Sequence, residues 1–336
     1  MADRRTGLRD PNASGGLRLP LAAVAAVLAL TACRDQGLTA VQVRPDATEP
    51  PVPAAPAPPG PPATGATPGK GVVVTPAGVV VPVVGDAPGG WFVRTPCGRE
   101  RTITGGTHVA QATIVLDAGH GGREPGAVSP EGLAEAPVNL DVVRHARSAL
   151  EREGVSVAET RTGDYQVSLD TRAEIARGLG PQAFVSVHHN AEPDGRRDGP
   201  GTETYYQIGS DDSKRLAGLI YEEVARALAA YQANWVADTD AGAKYRPGQR
   251  GDYYAVLRLP VPVTSVLAEL AFISNPSEAE LLGRADVRAI EGEAVARGIL
   301  RWLRSDDPGS GFTTPYPRVD PPGAPSGPGG CTDPPL

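Results

Sequence analysis

The sequence predicts an α/β fold: a single catalytic domain on an open, twisted, mostly parallel sheet flanked by helices. Three observations predict it. Between Gln111 and Arg304, short apolar runs of strand length alternate with longer segments whose apolar residues recur at helical spacing. Outside that stretch the chain is rich in glycine and proline, which make up 41 and 35 of its 336 residues, so one catalytic-sized domain rather than two is expected in spite of the length. The strand-like runs also end in reactive side chains, and open α/β sheets bind ligands beyond the carboxyl ends of their strands.

Taken in order, the strand-like runs are "TIVLD", "VSVAET", "FVSVHH", "TETYYQ" and "TSVLAEL". The helix after Pro137 carries Val138, Val142, Ala146 and Leu150 on one face, has a proline near its first turn, and stops at Gly154. Another stripe runs through Leu216, Leu219, Ile220, Val224 and Leu228, and a last one through Val287, Ile290, Ile299, Leu300 and Leu303. An amphipathic helix must bury its apolar face, so these stripes are read as core.

The flanks carry different signals. Residues 1–32 read as a lipoprotein-type signal peptide, with arginines ahead of "LPLAAVAAVLAL", a stretch too short for a permanent membrane span, and then "LTAC". The last four residues resemble a bacterial lipoprotein signal, in which Cys33 would carry lipid and anchor the exported protein to a membrane; an ordinary secretory signal is the alternative. Residues 33–70 form a proline- and alanine-rich spacer. Residues 71–110, with "GVVVTPAGVVVPVVG" and "WFVRTPCG", read as a small β-rich, hairpin-like appendage, residues 111–304 as the catalytic domain, and residues 305–336 as a proline- and glycine-rich tail. Export would leave Cys97 and Cys331 as a pair able to form a disulfide, with two separate thiols the alternative. The formal charge of −7 offers no basic footprint, so nucleic acid is excluded as a partner.

Reactive side chains cluster at the strand exits. His120 follows "TIVLD", His188 and His189 close "FVSVHH", Glu269 lies in "TSVLAEL", and Glu135 stands ahead of the first helix. Imidazoles and carboxylates gathered on one edge suit a zinc site with an open position. An acid within the apolar run around Glu269 is costly to bury without a partner or a function. His108 and His145 lie away from the strand exits.

The segments "VLDAGHGGREPGAVSPEGLAEAPVNL", "TRTGD", "FVSVHHNA", "GTETYY" and "LAELAFISNPSEAELL" together resemble the zinc-dependent N-acetylmuramoyl-L-alanine amidases, bacterial cell-wall hydrolases with an amidase type 3 catalytic domain. The resemblance implies one zinc ion per chain held by His120, Glu135 and His188. It implies Glu269 as the general base in hydrolysis of the amide between N-acetylmuramic acid and L-alanine, with peptidoglycan or muropeptides as substrate. His189 is left out of the metal shell because strand alternation turns it to the opposite face. Glu124 stands where the family often has aspartate, and Arg177 where it often has asparagine; neither matches a metal position. No helical spacing beyond the stripe already assigned occurs between Tyr206 and Tyr254, so no inserted plug is expected. Another zinc peptidase of the wall and a noncatalytic peptidoglycan-binding lipoprotein remain as alternatives.

Overall fold

The computed structural model describes residues 69–316 and 330–336. Cys33, the signal segment, almost all of the spacer and part of the tail lie outside the described residues. Among the described residues no helix is long and apolar enough to cross a membrane.

The chain opens with β1 (Val72–Val74), β2 (Val80–Ala87), β3 (Gly90–Arg94), β4 (Glu100–Ile103) and β5 (Thr107–Val109). Then come β6 (Ile114–Ala118), α1 (Glu135–Arg152), β7 (Val157–Glu159), α2 (Leu169–Leu179) and β8 (Ala183–Asn190). The two-residue β9 (Gly195–Arg196) precedes β10 (Glu203–Tyr206) and α3 (Asp211–Leu228). Short strands follow: β11 (Val236–Ala237), β12 (Gly242–Lys244), β13 (Pro247–Gly248) and β14 (Gly251–Asp252). The chain continues with α4 (Ala255–Arg258), β15 (Thr264–Phe272), α5 (Pro276–Leu282) and α6 (Ala285–Arg304). Between Leu228 and Ala255 the described chain forms no helix.

The main sheet has six strands in the order β12-β10-β15-β8-β6-β7. Strands β7, β6, β8 and β15 are parallel, whereas β10 runs antiparallel to β15 and β12 follows β10. A parallel return needs a crossover of a dozen residues or more, usually a helix, and the segment joining β8 to β10 contains none. Its strand β10 therefore reverses.

One core lies between the sheet and α1, α3 and α6, where Val142, Val143, Ala146, Leu150, Leu216, Leu219, Val295 and Ile299 are each fully buried. Each such valine or leucine contributes about 1.5–3 kcal/mol by leaving water. Helix α1 begins at Glu135, two residues ahead of Pro137; proline is tolerated in a first turn because no intrahelical acceptor is available there for its missing N–H. On the opposite face of the sheet, α2 and the residues Val115 and Phe184 share a second core with Val72, Val73, Val81 and Val93 of the N-terminal strands.

Those N-terminal strands form a five-stranded antiparallel sheet, β4-β3-β2-β1-β5, larger than the hairpin read from the valine runs. Strand β5, "THV", has no apolar alternation to announce it and is recruited by pairing with β1. Cys97 and Cys331 are joined by a disulfide, with Cα atoms 5.7 Å apart. Around it, the Asp333 carboxylate accepts from the Cys97 N–H at 2.8 Å and from Arg99 at 2.7 Å.

Candidate metal and catalytic site

The carboxyl end of β6 is clamped before it delivers a histidine. Asp117, fully buried, takes hydrogen bonds from Ser186, Thr160 and Arg172. Burial opposes its ionisation, but the Arg172 guanidinium and the two hydroxyls hold its pKa below the ordinary value. Arg172 also donates to the Ala118 carbonyl at 2.7 Å and the His120 carbonyl at 2.8 Å. Arg161 donates to the carbonyls of Ala118, Gly119 and Ala136 at 2.8, 2.9 and 2.7 Å. Two buried arginines thus satisfy the carbonyls that the strand would otherwise leave unpaired where it stops.

This clamp lets His120 adopt φ 59°, a left-handed conformation uncommon for a side-chain-bearing residue, followed by Gly121 and Gly122 with positive φ. The result turns the imidazole back over the strand end. Gly119 cannot carry a side chain, because a Cβ there would lie 2.2 Å from the His188 ring.

His120, Glu135 and His188 come together. One donor atom from each lies within 4.8 Å of the others. Glu135 is the first residue of α1 and is buried; its Oε2 is 3.1 Å from His120 Nε2 and its Oε1 2.9 Å from His188 Nδ1. The two rings meet edge to face with centroids 4.8 Å apart. Glu135 is steadied by three further donors: Ala127 N–H at 2.9 Å, Asn139 Nδ2 at 3.0 Å and His189 N–H at 3.1 Å.

The charges are arranged for a cation. Burial opposes ionisation of Glu135, yet its contacts with His120 and His188 hold the carboxyl well below the usual range. Burial pulls the His188 pKa down, only partly offset by Glu135, so this ring is neutral at pH 7. For His120 burial also acts downward, but Glu124 and Glu135 outweigh it and raise the pKa to about 9. Two imidazole nitrogens and one carboxylate are a donor set that suits zinc with a position left open. The residues present therefore fit such an ion.

Glu269 sits on β15 beside His188 in strand register and opposite Glu203 of β10. It is half-buried, and its Oε2 has no hydrogen-bond partner. Burial, Glu135 and Glu203 raise its pKa well above the ordinary carboxyl value, against a downward pull from His120. An orphaned carboxylate oxygen at the strand end is costly to maintain.

Several neighbours escaped the reading of the sequence. Glu124, noted there only as a departure from the family pattern, has Oε1 3.4 Å from His120 Nδ1, at the ring nitrogen turned away from Glu135. Asn139 lies one helical turn after Glu135 on the same face, a spacing that marks it as a partner. Arg177 lies elsewhere, bonded to the Leu259 carbonyl. A second group of acids, Glu203, Asp238 and Asp240, also converges within 4.8 Å, but Lys244 Nζ stands among them, 3.1 Å from Glu203 and 2.6 Å from Asp240. His108 bonds the Lys70 carbonyl and His145 faces Asp141, both away from the site.

A family model described as N-acetylmuramoyl-L-alanine amidase matches residues 114–301. Among curated relatives, the YqiI protein of Bacillus subtilis is 34% identical over 189 residues, covering 56% of this chain and 82% of YqiI. The amidase AmiC of Neisseria meningitidis serogroup B is 29% identical over 242 residues, covering 60% of this chain. The amidase LytC of Bacillus subtilis is 31% identical over 198 residues, covering 58% of this chain. This chain spans 55% of AmiC and 36% of LytC. Among solved structures, the N-acetylmuramoyl-L-alanine amidase of Clostridium difficile 630 aligns with a TM-score of 0.50 at 27% identity, over 59% of this chain and all of that one. The family match spans more than half of the 336 residues and takes in His120, Glu135, His188 and Glu269 together: this chain belongs to the N-acetylmuramoyl-L-alanine amidase family.

Proposed function

We propose that this chain hydrolyses the amide bond between N-acetylmuramic acid and L-alanine in peptidoglycan, with one zinc ion held by His120, Glu135 and His188 and with Glu269 as general base. The observation that carries the reading is the convergence of three suitable donors beside a carboxylate whose Oε2 has no hydrogen-bond partner. A zinc ion held there supplies Lewis acidity, which makes water ionisable near neutral pH and polarises the amide carbonyl. Glu269 accepts the proton of the attacking water and returns it to the leaving amine of L-alanine. Burial and the neighbouring carboxylates raise its pKa, and the charge of a bound zinc would act the other way, the balance needed by a group that both takes and returns a proton. Asn139, Ala127 N–H and His189 N–H keep Glu135 aimed while the reaction proceeds. The protein is read as exported and anchored through lipid on Cys33, which brings the site to the wall.

The test is incubation of the zinc-loaded protein with defined muropeptides, followed by mass analysis. Release of intact stem peptides from glycan, abolished by a chelator, is the expected result. Cleavage within the stem, or release that ignores the chelator, overturns the reading.

Metal binding is expected to displace a proton. In the metal-free protein the His120 ring, with its pKa near 9, is protonated at pH 7, whereas His188 is neutral and Glu135 ionised. Zinc requires the neutral ring, so its affinity should climb about tenfold per pH unit up to pH ~9 and then level. Calorimetry in buffers of different ionisation enthalpy should count about one proton released per zinc at pH 7. Gly119→Ala is a steric counterpart: its methyl must push the His188 ring aside, and zinc affinity measured by chelator competition should fall at least about tenfold.

A further inference from the structure

We propose that His189 and Glu291 are positioning residues which, through Asn139, fix the Glu135 carboxylate at the metal site. This inference rests on the proposed zinc reading and extends it to two residues outside the donor set.

His189 follows His188 on β8 and points to the opposite face of the sheet, where its side chain is completely buried. Its Nδ1 is 2.7 Å from Asn139 Oδ1. The Asn139 amide nitrogen faces two acceptors, Glu135 Oε1 at 3.0 Å and the Gly119 carbonyl at 3.4 Å, so its orientation is determined and Oδ1 is the atom presented to the ring. It follows that His189 Nδ1 carries a proton and donates it. At the far side of the ring, Nε2 is 3.4 Å from Glu291 Oε2. A hydrogen bond there needs a proton on Nε2 or on Oε2, and with it the imidazole is held at both ends, its Nδ1–H aimed at the amide that grips Glu135. The His189 backbone N–H reaches the same carboxylate oxygen directly.

Glu291 is difficult to explain as a contribution to stability. It lies fully buried on α6, among Val287, Ala294 and Val295, and its Oε1 has no hydrogen-bond partner. Glu278 on α5 is also buried, but its oxygens are engaged by the N–H groups of Val236 and Phe272. Apolar residues at positions 189 and 291 together would avoid burying these polar groups, and such paired replacements are often neutral or stabilising, whereas removing one partner alone strands the other. What the carboxylate does provide is a stop for the His189 ring. Hydrogen-bond partners behind metal ligands characteristically affect metal affinity 10–100-fold.

Zinc binding by the full chain, measured by chelator competition alongside melting of the metal-free protein, tests the proposal. Wild-type protein must bind one zinc and His120→Ala must lose it; failure of that control overturns the zinc reading itself. With the control satisfied, His189→Leu is expected to bind zinc about 10–100-fold more weakly, and His189→Asn, which keeps a donor near the Nδ1 position, to recover most of the loss. Glu291→Leu is expected to weaken zinc binding as well, and its loss is expected not to add to that of His189→Leu in the double variant, a coupling that a merely structural role does not produce. Unaltered zinc affinity in Glu291→Leu overturns the proposal, as does full additivity of the two losses. If His189→Leu does not fold, Glu291→Gln decides the matter: it keeps a hydrogen-bonding stop for Nε2 and is expected to retain most of the affinity that Glu291→Leu loses, and an equal loss in both overturns the proposal.

Discussion

Glu269→Gln is expected to lower turnover of muropeptides by about 10²–10⁴-fold, the usual weight of a positioned general base, while zinc content stays at the wild-type level. Gln preserves the size and polarity of the side chain and removes only its ability to take a proton. Two features of the site make the separation clean. Glu269 comes from β15, whereas the proposed ligands come from the end of β6, the start of α1 and β8. Its Oε2 is also left without a hydrogen-bond partner, so losing its charge breaks no bond at that atom and relieves repulsion from Glu135 and Glu203. The folded variant should therefore be no less stable than wild type. Steady-state rates and metal analysis on the same preparation check this; a variant that retains most of its activity would remove Glu269 from the role of base.

The second large effect is expected far from any reacting atom. Asp117→Ala leaves the Arg172 guanidinium buried without its counter-ion, and stability should fall by about 3–5 kcal/mol in urea denaturation. The Ser186 and Thr160 hydroxyls lose an acceptor at the same time. Adding Arg172→Met removes the stranded charge and should restore part of the stability. It should not restore zinc affinity, because Arg172 also secures the carbonyls of Ala118 and His120. Stability and metal binding then move in different directions in the double variant. If both recover together, the arginine serves only to neutralise Asp117 and does not shape the histidine turn.

The layers of this fold were legible in the sequence because helical stripes and apolar strand runs are direct consequences of burial. Leu150, Leu219 and Ile299 had to face a core, and they do. The reactive strand ends were legible for the same reason, since a histidine or glutamate interrupting an apolar run stands out against it. The support behind those ends was not. Arg161 and Arg172 look like ordinary surface cations in "TRTGD" and "LDTRAEIA", and only the fold turns them inward onto the carbonyls of Ala118, Gly119 and His120. Glu203 faces Glu269 through an antiparallel pairing that depends on which strands become neighbours, a long-range choice with no local signature. Asn139 was within reach, since its four-residue spacing from Glu135 places both on one side of α1. Strand β5 was not, for it owes its structure to β1 rather than to its own composition.

In the main sheet β15 lies between β10 and β8, yet it is the last of the six strands in the chain. A nascent polypeptide that has been synthesised through Tyr206 already contains both imidazoles and Glu135, but it has a gap where the middle of the sheet belongs. Closing that gap requires partners distant in sequence, which makes for slow folding, and the same event delivers Glu269, the proposed proton acceptor. A product truncated before Thr264 would thus be inert toward glycan strands, and its unfilled strand edges would invite self-association.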